Sequence, residues 1–393
     1  MSTLKVDGIR SNAATSDAIT LADNGTCTAN ITNNLSNRNL IINGAMMVAQ
    51  RGTSSTSAGH VVDRVEGEFT SLNESPTYAQ VDVASGTTPY TLGFRKALKI
   101  TNGNQTSGAG AGQRYQLFLK LEGQDVANSG WNYTSSSSYI TLSFWVKSSV
   151  AQNFYGYLRT KDGTGQRYCF ETGSLSADTW TKITKTIPGN SNITIDNDTG
   201  EGLQLNLSQF FGTDYTDSGV SLNAWGAYAS GTRTPDQTTT WYTTNDATLE
   251  YTGVQLEVGS VATDFEHRSY GQELALCQRY YYRHATGADA SSDYSIGTFA
   301  CYQANDIFGM IDLPVTMRAT PSIDQVSGSG YYKVYSDGGS DAFDSFGGIW
   351  SPSATCAGLN ANSGNNISGR TSGHATFVKT NNTNAYLAFS AEL

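Results

Sequence analysis

At about 150 residues per domain, the 393-residue chain has room for two or three domains. Charged residues make up only 15%, against roughly 25% in an ordinary soluble protein, yet 38% hydrophobic and 11% aromatic content exclude a disordered or fibrous chain. A formal net charge of -10 excludes partners gripped by phosphate neutralisation, so neither nucleic acid nor insertion at an anionic membrane is expected.

The opening MSTLKVDGIRSN lacks the basic-then-apolar layout of a secretory signal, and the longest apolar stretch, residues 45–49, is too short to span a bilayer. Five cysteines (Cys27, Cys169, Cys277, Cys301, Cys356) are odd in number and never form C-x-x-C, so reduced thiols are expected rather than a disulfide framework or a zinc site. Residues 1–42 hold short apolar runs broken by Asp23-Asn24-Gly25, with too little apolar surface to fold alone. They are read as an attachment or trimerisation arm.

Residues 43–268 predict strand after strand. Residues 139–147 alternate strictly, with Ile140, Leu142, Phe144 and Val146 on one face. The pattern returns with Tyr115, Leu117, Leu119 and Leu121, and with Val254, Leu256 and Val258. Further candidates are residues 61–69, 79–83, 97–100, 154–159, 168–171, 180–187 and 224–229. Gly, Asn and Ser between them, without long helical periodicity, indicate an antiparallel jelly-roll sandwich.

Ser269-Tyr270-Gly271-Gln272 has the form of a capping box, followed by Glu273 and by Leu274, Cys277 and Tyr281 at helical spacing. This predicts a connector helix over residues 269–283. Residues 284–393 then return to short strands at 307–313, 331–335, 375–379 and 386–389, giving a smaller C-terminal β domain. The fold class is therefore all-β.

No metal site or cofactor is predicted. No Ser carries glycines two before and two after it, and His60, His267, His284 and His374 form no H-E-x-x-H cluster. The segment from Asp196 to Glu201 opens like a calcium loop, but Leu207 stands where the loop needs Glu. That segment, and the one from Asp337 to Asp341, read best as polar turns. Glu171, Glu201, Glu250 and Glu257 are available as catalytic acids, but nothing in their spacing pairs them.

Sugars present apolar C–H faces ringed by hydroxyls, so their binding sites combine flat aromatic rings with planar polar groups. Tyr331, Tyr332 and Tyr335 lie near Phe343, Phe346 and Trp350 among Gly/Ser/Asp loops, and Trp131 sits in a loop of the middle domain. Trp131, Tyr331, Tyr332, Tyr335 and Trp350 are the candidate ligand-binding residues. Trp145 and Trp180 read as packing residues, and the run from Arg279 to Arg283 as rings packed between domains.

Several segments resemble bacteriophage tail fibre or receptor-binding proteins. They are the stretch from Asn39 to Met46 with Gln50-Arg51-Gly52-Thr53, Val62-Asp63-Arg64, the block from Thr252 to Tyr270, Cys277 to Arg283, Leu313 to Pro321 and the terminal Ala391-Glu392-Leu393. The resemblance implies a homotrimeric virion protein made in the bacterial cytoplasm. Its arm would join a tail or baseplate protein, its middle jelly roll would be similar to carbohydrate-binding modules, and its C-terminal tip would recognise a host surface glycan without a shared catalytic motif. Two other readings remain open: a tailspike-like depolymerase, and a purely structural adaptor or head fibre.

Overall fold

Alternation of apolar and polar side chains builds the strands, and burial shows which face each presents. In Tyr139–Ser148, Ile140, Leu142, Phe144 and Val146 are all fully buried. The computed structural model describes residues 6–10, 12, 19–21, 23, 27–29, 37–287 and 294–393. Two antiparallel sheets form the jelly-roll sandwich. The first has six strands in the spatial order Thr181–Pro188, Tyr139–Ser148, Thr248–Val258, Lys96–Thr101, Thr77–Asp82 and Ser54–Ser55. The second has seven, ordered Trp225–Ala227, Gln166–Ser174, Asn153–Thr160, Glu201–Phe211, Arg114–Glu122, Val65–Thr70 and Gly59–His60. Between them lies one large core, in which Leu117, Leu119 and Leu121 meet Leu203, Leu205, Leu207, Phe144 and Trp241. Trp145 and Trp180 pack on a separate cluster around Phe94 and Ala97.

Contacts of the sandwich begin before residue 43. Ile41 belongs to its core, and Asn39 donates from Nδ2 to the Val254 carbonyl at 3.1 Å. Farther out, Gly8–Ile9, Ile19–Leu21 and Cys27–Ala29 form a three-stranded antiparallel sheet. The rest of the arm to which attachment and trimerisation were assigned lies outside the described residues.

The capping box forms, since Ser269 accepts from the Gln272 amide and the Gln272 side chain returns to Ser269. The helix spans Tyr270–Gln278, shorter than expected. Its continuation is captured by the sheet instead: Tyr281–Thr286 pairs with the C-terminal strand Tyr386–Ser390, Tyr281 opposite Ser390. Ser322–Gln325 completes this three-stranded sheet. Against it packs a seven-stranded sheet, ordered Gly339–Phe343, Tyr332–Ser336, Ala375–Thr380, Ser295–Gln303, Asp306–Asp312, Cys356–Asn362 and Gly348–Pro352. A second core holds Phe299, Tyr332, Phe343, Phe346, Leu359 and Phe389. Cys169, Cys277, Cys301 and Cys356 are free thiols.

The two cores are joined by a buried ionic hub. The carboxylate of Glu392, next to the last residue, is paired with Arg64 and with Arg51 (3.1 Å), and His60 lies 3.8 Å away. The guanidinium of Arg64 lies over the Tyr280 ring and that of Arg51 over the Tyr281 ring, each at 3.4 Å. Beside them Arg279 grips Glu122 with two bonds of 2.7 Å. Arg318 binds the carbonyls of Ala391 and Glu392 from one end and that of Thr199 from the other.

The hub gives the stability of the chain a pH dependence. Burial would raise the Glu392 carboxyl, but His60, Arg64 and Arg51 hold it down at about 2. Burial lowers His60 to about 4 from its ordinary 6.5. As pH falls below 6.5, the unfolded chain binds a proton on His60 that the folded chain refuses, so stability declines between 6.5 and 4. The Glu392 contribution is present above the ordinary carboxylate range and is lost only as pH falls toward 2. Urea unfolding at pH 5 should therefore show about 2 kcal/mol less stability than at pH 7.5 from His60 alone. His60→Gln should flatten that difference; a variant keeping the full slope would place the titration elsewhere.

Candidate functional site

The outer face of the sandwich's seven-stranded sheet carries the side chains that alternate with its core, and residues 211–228 cover part of it, burying Tyr157 and Cys169. In Arg114–Glu122, Tyr115, Leu117 and Leu119 point inward, leaving Arg114, Gln116, Phe118 and Lys120 outside. In Glu201–Phe211, Leu203, Leu205 and Leu207 do the same for Gln204, Asn206 and Ser208. Strand register sets these groups in rows. One row runs Glu66, Phe118, Asn206, Tyr157 and Cys169; the next runs Lys120, Gln204, Arg159 and Arg167. Tyr228 and Arg233 close over this face and leave a groove of about 210 Å³, lined also by Glu68, Arg114, Gln116, Phe118, Tyr157, Arg159, Lys161 and Gln204.

The floor of the groove is organised by hydrogen bonds. Asn206 Nδ2 donates to Gln116 Oε1 at 2.8 Å, and Gln116 and Arg114 both bind the carboxylate of Glu68. Gln204 donates to Glu201 at 2.9 Å, and Glu201 is paired with Lys161 at 3.0 Å. The Arg159 guanidinium lies 3.6 Å over the Tyr228 ring, whose centroid is 6.3 Å from that of Tyr157. Burial pushes the Tyr157 phenol well above its usual range, with Tyr228 adding to the effect, so it stays a neutral hydrogen-bonding group. Several buried polar atoms have no hydrogen-bond partner: Asn206 Oδ1, Arg114 Nε, Arg159 Nε, and Nε and Nη1 of Arg167. Such atoms are rare in a fold, and each calls for a water, an ion or a ligand to complete it; others lie elsewhere in the chain, at Arg51, Tyr78, Arg283 and Asp306 among them. A wider hollow of about 440 Å³ beside Arg38, Asn39 and Arg268 has no aromatic ring in its walls, and Arg268 is bonded to Asn39 and Glu266.

The structure divides the aromatic candidates. Trp131 is 2% exposed within the sandwich core, its Nε1 directed at the Ser138 carbonyl, because the loop after it folds back onto the sheet edge. Tyr332 is fully buried, stacked on Phe343, with its hydroxyl 2.6 Å from the Tyr386 carbonyl. Both are corrected from ligand contacts to core residues. Tyr331 is half-buried against the C-terminal core.

Tyr335 and Trp350 do face outward on one side of the C-terminal sheet. Trp350 is 68% exposed beside Phe308 (4.9 Å), and Phe308 also meets Tyr302 at 5.5 Å. Tyr335 stands opposite Phe377, with Lys379 Nζ 4.6 Å from its ring. An aromatic band thus crosses the outer sheet from Tyr335 through Phe377, Tyr302 and Phe308 to Trp350.

The acids noted in the sequence have local partners. Glu171 accepts from Asn153, Glu250 pairs with Lys147 at 2.9 Å, and Glu257 accepts from Gln255 and Thr263. The segment from Asp196 to Glu201 is a turn, with Asp198 accepting from the Gly200 amide at 2.8 Å. Asp337 holds His374 and Thr371 at a hairpin end. Among the described residues no group of three or more His, Cys, Asp or Glu is placed to hold a metal ion, and no helix is long and apolar enough to cross a membrane.

Of the groove residues, Gln204 was missed because the strand Glu201–Phe211 was not among the predicted elements; the others lie mostly in predicted strands whose pairing the sequence does not show. The signal of Glu201–Phe211 was present in the alternation Leu203-Gln204-Leu205-Asn206-Leu207-Ser208.

No family model matches the chain, and no curated protein sequence does. Solved structures that it is similar to over part of its length include the enzymatically active domain of bacteriophage CBA120 tailspike protein 4, at 10% identity and a TM-score of 0.29 over 56% of this chain. The matched part spans 21% of that tailspike chain. The N-terminal cellulose-binding domain of Cellulomonas fimi β-1,4-glucanase C matches at 10% identity and a TM-score of 0.26, over 54% of this chain and 97% of its own. A family 11 carbohydrate-binding module from Clostridium thermocellum matches at 13% identity and a TM-score of 0.25, over 55% of this chain and 98% of its own.

Proposed function

We propose that this protein is a non-enzymatic adhesin, the receptor-binding fibre of a phage tail, which attaches the virion to a bacterial surface glycan. The observation that carries the glycan part is the groove, where the rings of Phe118, Tyr157 and Tyr228 stand beside the planar polar groups of Gln116, Gln204 and Arg159. The phage part rests on the resemblance of the segments around Asn39, Arg64, Thr252, Arg279 and Glu392. The arm joins the tail or baseplate, and three copies make weak single sites effective together. The groove is lined by one carboxylate, Glu68, already held by Arg114 and Gln116, whereas glycoside hydrolysis uses two. The exposed band ending in Trp350 favours a second contact surface on the C-terminal domain.

Adsorption of the purified chain to bacterial cells and their extracted surface polysaccharides tests this reading. Tyr228→Ala should weaken binding roughly 30-fold, the loss typical of an aromatic anchor. Full binding by Tyr228→Ala with loss in Trp350→Ala would move the site to the C-terminal sheet. Release of shortened saccharide chains would establish a depolymerase instead.

A further inference from the structure

The charge of the groove runs against that of the chain. The protein carries a net charge of -10, yet the groove is lined by four cationic side chains, Arg114, Arg159, Lys161 and Arg233, and by one carboxylate, Glu68. Two of the four are neutralised: Arg114 by Glu68 and Lys161 by Glu201. Arg159 and Arg233 have no carboxylate partner among the described residues. Arg233 is only 8% exposed, bonds a single carbonyl, that of Ser230, and lies 4.8 Å over the Tyr215 ring.

Behind Arg159 the imbalance deepens. Arg167 stands directly opposite Arg159 in the strand pairing, is 7% exposed, and has Nε and Nη1 both buried without a hydrogen-bond partner. Like charges placed opposite each other in a sheet destabilise it, and buried guanidinium donors left unpaired cost more than any surface position would. Within the fold Arg159 is held by stacking on Tyr228 at 3.6 Å, with no carboxylate beside it among the described residues. An oxyanion in the groove offsets this crowding of cations through Arg159, which lines it, because a guanidinium binds carboxylate, sulfate or phosphate oxygens through paired charge-assisted hydrogen bonds.

We propose that the groove takes an anionic glycan, a polysaccharide whose repeat bears a carboxylate, sulfate or phosphate group, and that Arg159 and Arg233 receive that group while the half-buried rings of Phe118 and Tyr228 pack against the sugar ring. The proposal rests on the glycan-binding reading and specifies its substrate class. The net negative charge of the chain then works as a filter, since a polyanion without the sugar geometry is repelled by the remaining surface.

The test compares binding of the full chain to polygalacturonate, dextran sulfate, a phosphate-bearing teichoic-type polymer and neutral dextran at about 0.15 M salt. One or more of the charged polymers should bind at least tenfold more tightly than dextran, and the best of the three identifies the oxyanion. Arg159→Gln and Arg233→Gln should each reduce that binding about tenfold or more, while Lys182→Gln, on the other sheet, leaves it unchanged. Arg159→Gln should unfold at the same temperature as the parent or higher, because it removes an unpaired buried donor; a fall in its unfolding temperature would mark the arginine as structural and overturn the assignment. Tight binding of neutral saccharides with no gain for charged ones would overturn the anionic specificity and leave the glycan reading standing. Failure to bind any saccharide, charged or neutral, would overturn both.

Discussion

Replacing Glu392 with alanine should destabilise the chain by about 3–5 kcal/mol, the cost of removing one partner from a buried ion pair. The carboxylate is 12% exposed and is the shared partner of Arg51 and Arg64, whose guanidinium planes are pinned on Tyr281 and Tyr280. Without it, two cations remain where water cannot replace the lost oxygens. His60, kept neutral by burial beside Glu392, loses its acidic neighbour as well. The effect should fall on the junction between the two cores, because Glu392 belongs to the C-terminal strand region while Arg51 and Arg64 belong to the sandwich. Differential scanning calorimetry should show the variant unfolding earlier, with a separate transition for the smaller domain. Glu392→Gln should recover part of the loss, since the amide oxygen still accepts from Arg64 but carries no charge. A Glu392→Ala variant that unfolds with the parent would mean that the hub contributes no net stability.

Gly44→Ala should cost about 3 kcal/mol, the upper end of overpacking a tight core. A Cβ on Gly44 would lie 2.0 Å from the Val254 carbonyl oxygen, a backbone atom that cannot move aside. The same carbonyl accepts from Asn39, and the Val254 amide donates to the Gly44 carbonyl at 2.9 Å, so the two segments are locked face to face. Gly253, one residue away, has φ of +64° in the irregular stretch where Tyr139–Ser148 and Thr248–Val258 change register. Gly86→Ala is the control: its φ is +84°, but a Cβ there meets nothing. It should cost only the backbone strain, about 1 kcal/mol. Urea unfolding of the two variants side by side measures the difference. Equal losses would show that the strand–loop contact at Gly44 is loose.

Both positions fall in segments that carry the phage-fibre resemblance, and their structural setting explains what those segments do. Asn39, Gly44, Arg51, Arg64, Gly253, Arg268, Arg279 and Glu392 all build the sandwich edge and the hub, and none of them lines the groove. The recognisable motifs therefore specify a scaffold, while the proposed ligand surface is built from ordinary strand residues.

This contrast also decides what could be read from the chain. Strands with strict alternation, such as Tyr139–Ser148, were legible together with their buried face, and so was the Ser269 capping box, because both are local patterns. Burial of loop aromatics was not legible. Trp131 follows Gly130 in a polar segment, yet the chain turns it under Tyr133 and into the core. The groove was hidden for a different reason: Glu68, Gln116, Tyr157 and Gln204 meet only through strand register, and Arg233, 165 residues after Glu68, is carried over them by the loop that follows Trp225–Ala227. A one-residue slip of any strand would turn its member inward, and register between distant strands is a tertiary property.

On the proposed reading a saccharide sits in the groove on the outer face of the sandwich's seven-stranded sheet. A crystal structure of the full chain soaked with a binding oligosaccharide measures this directly. The expected result is an intact sugar against Phe118 and Tyr228, with an oxyanion against Arg159 and Arg233. A sugar lying only along the band from Tyr335 to Trp350, or one found cleaved, would contradict the account.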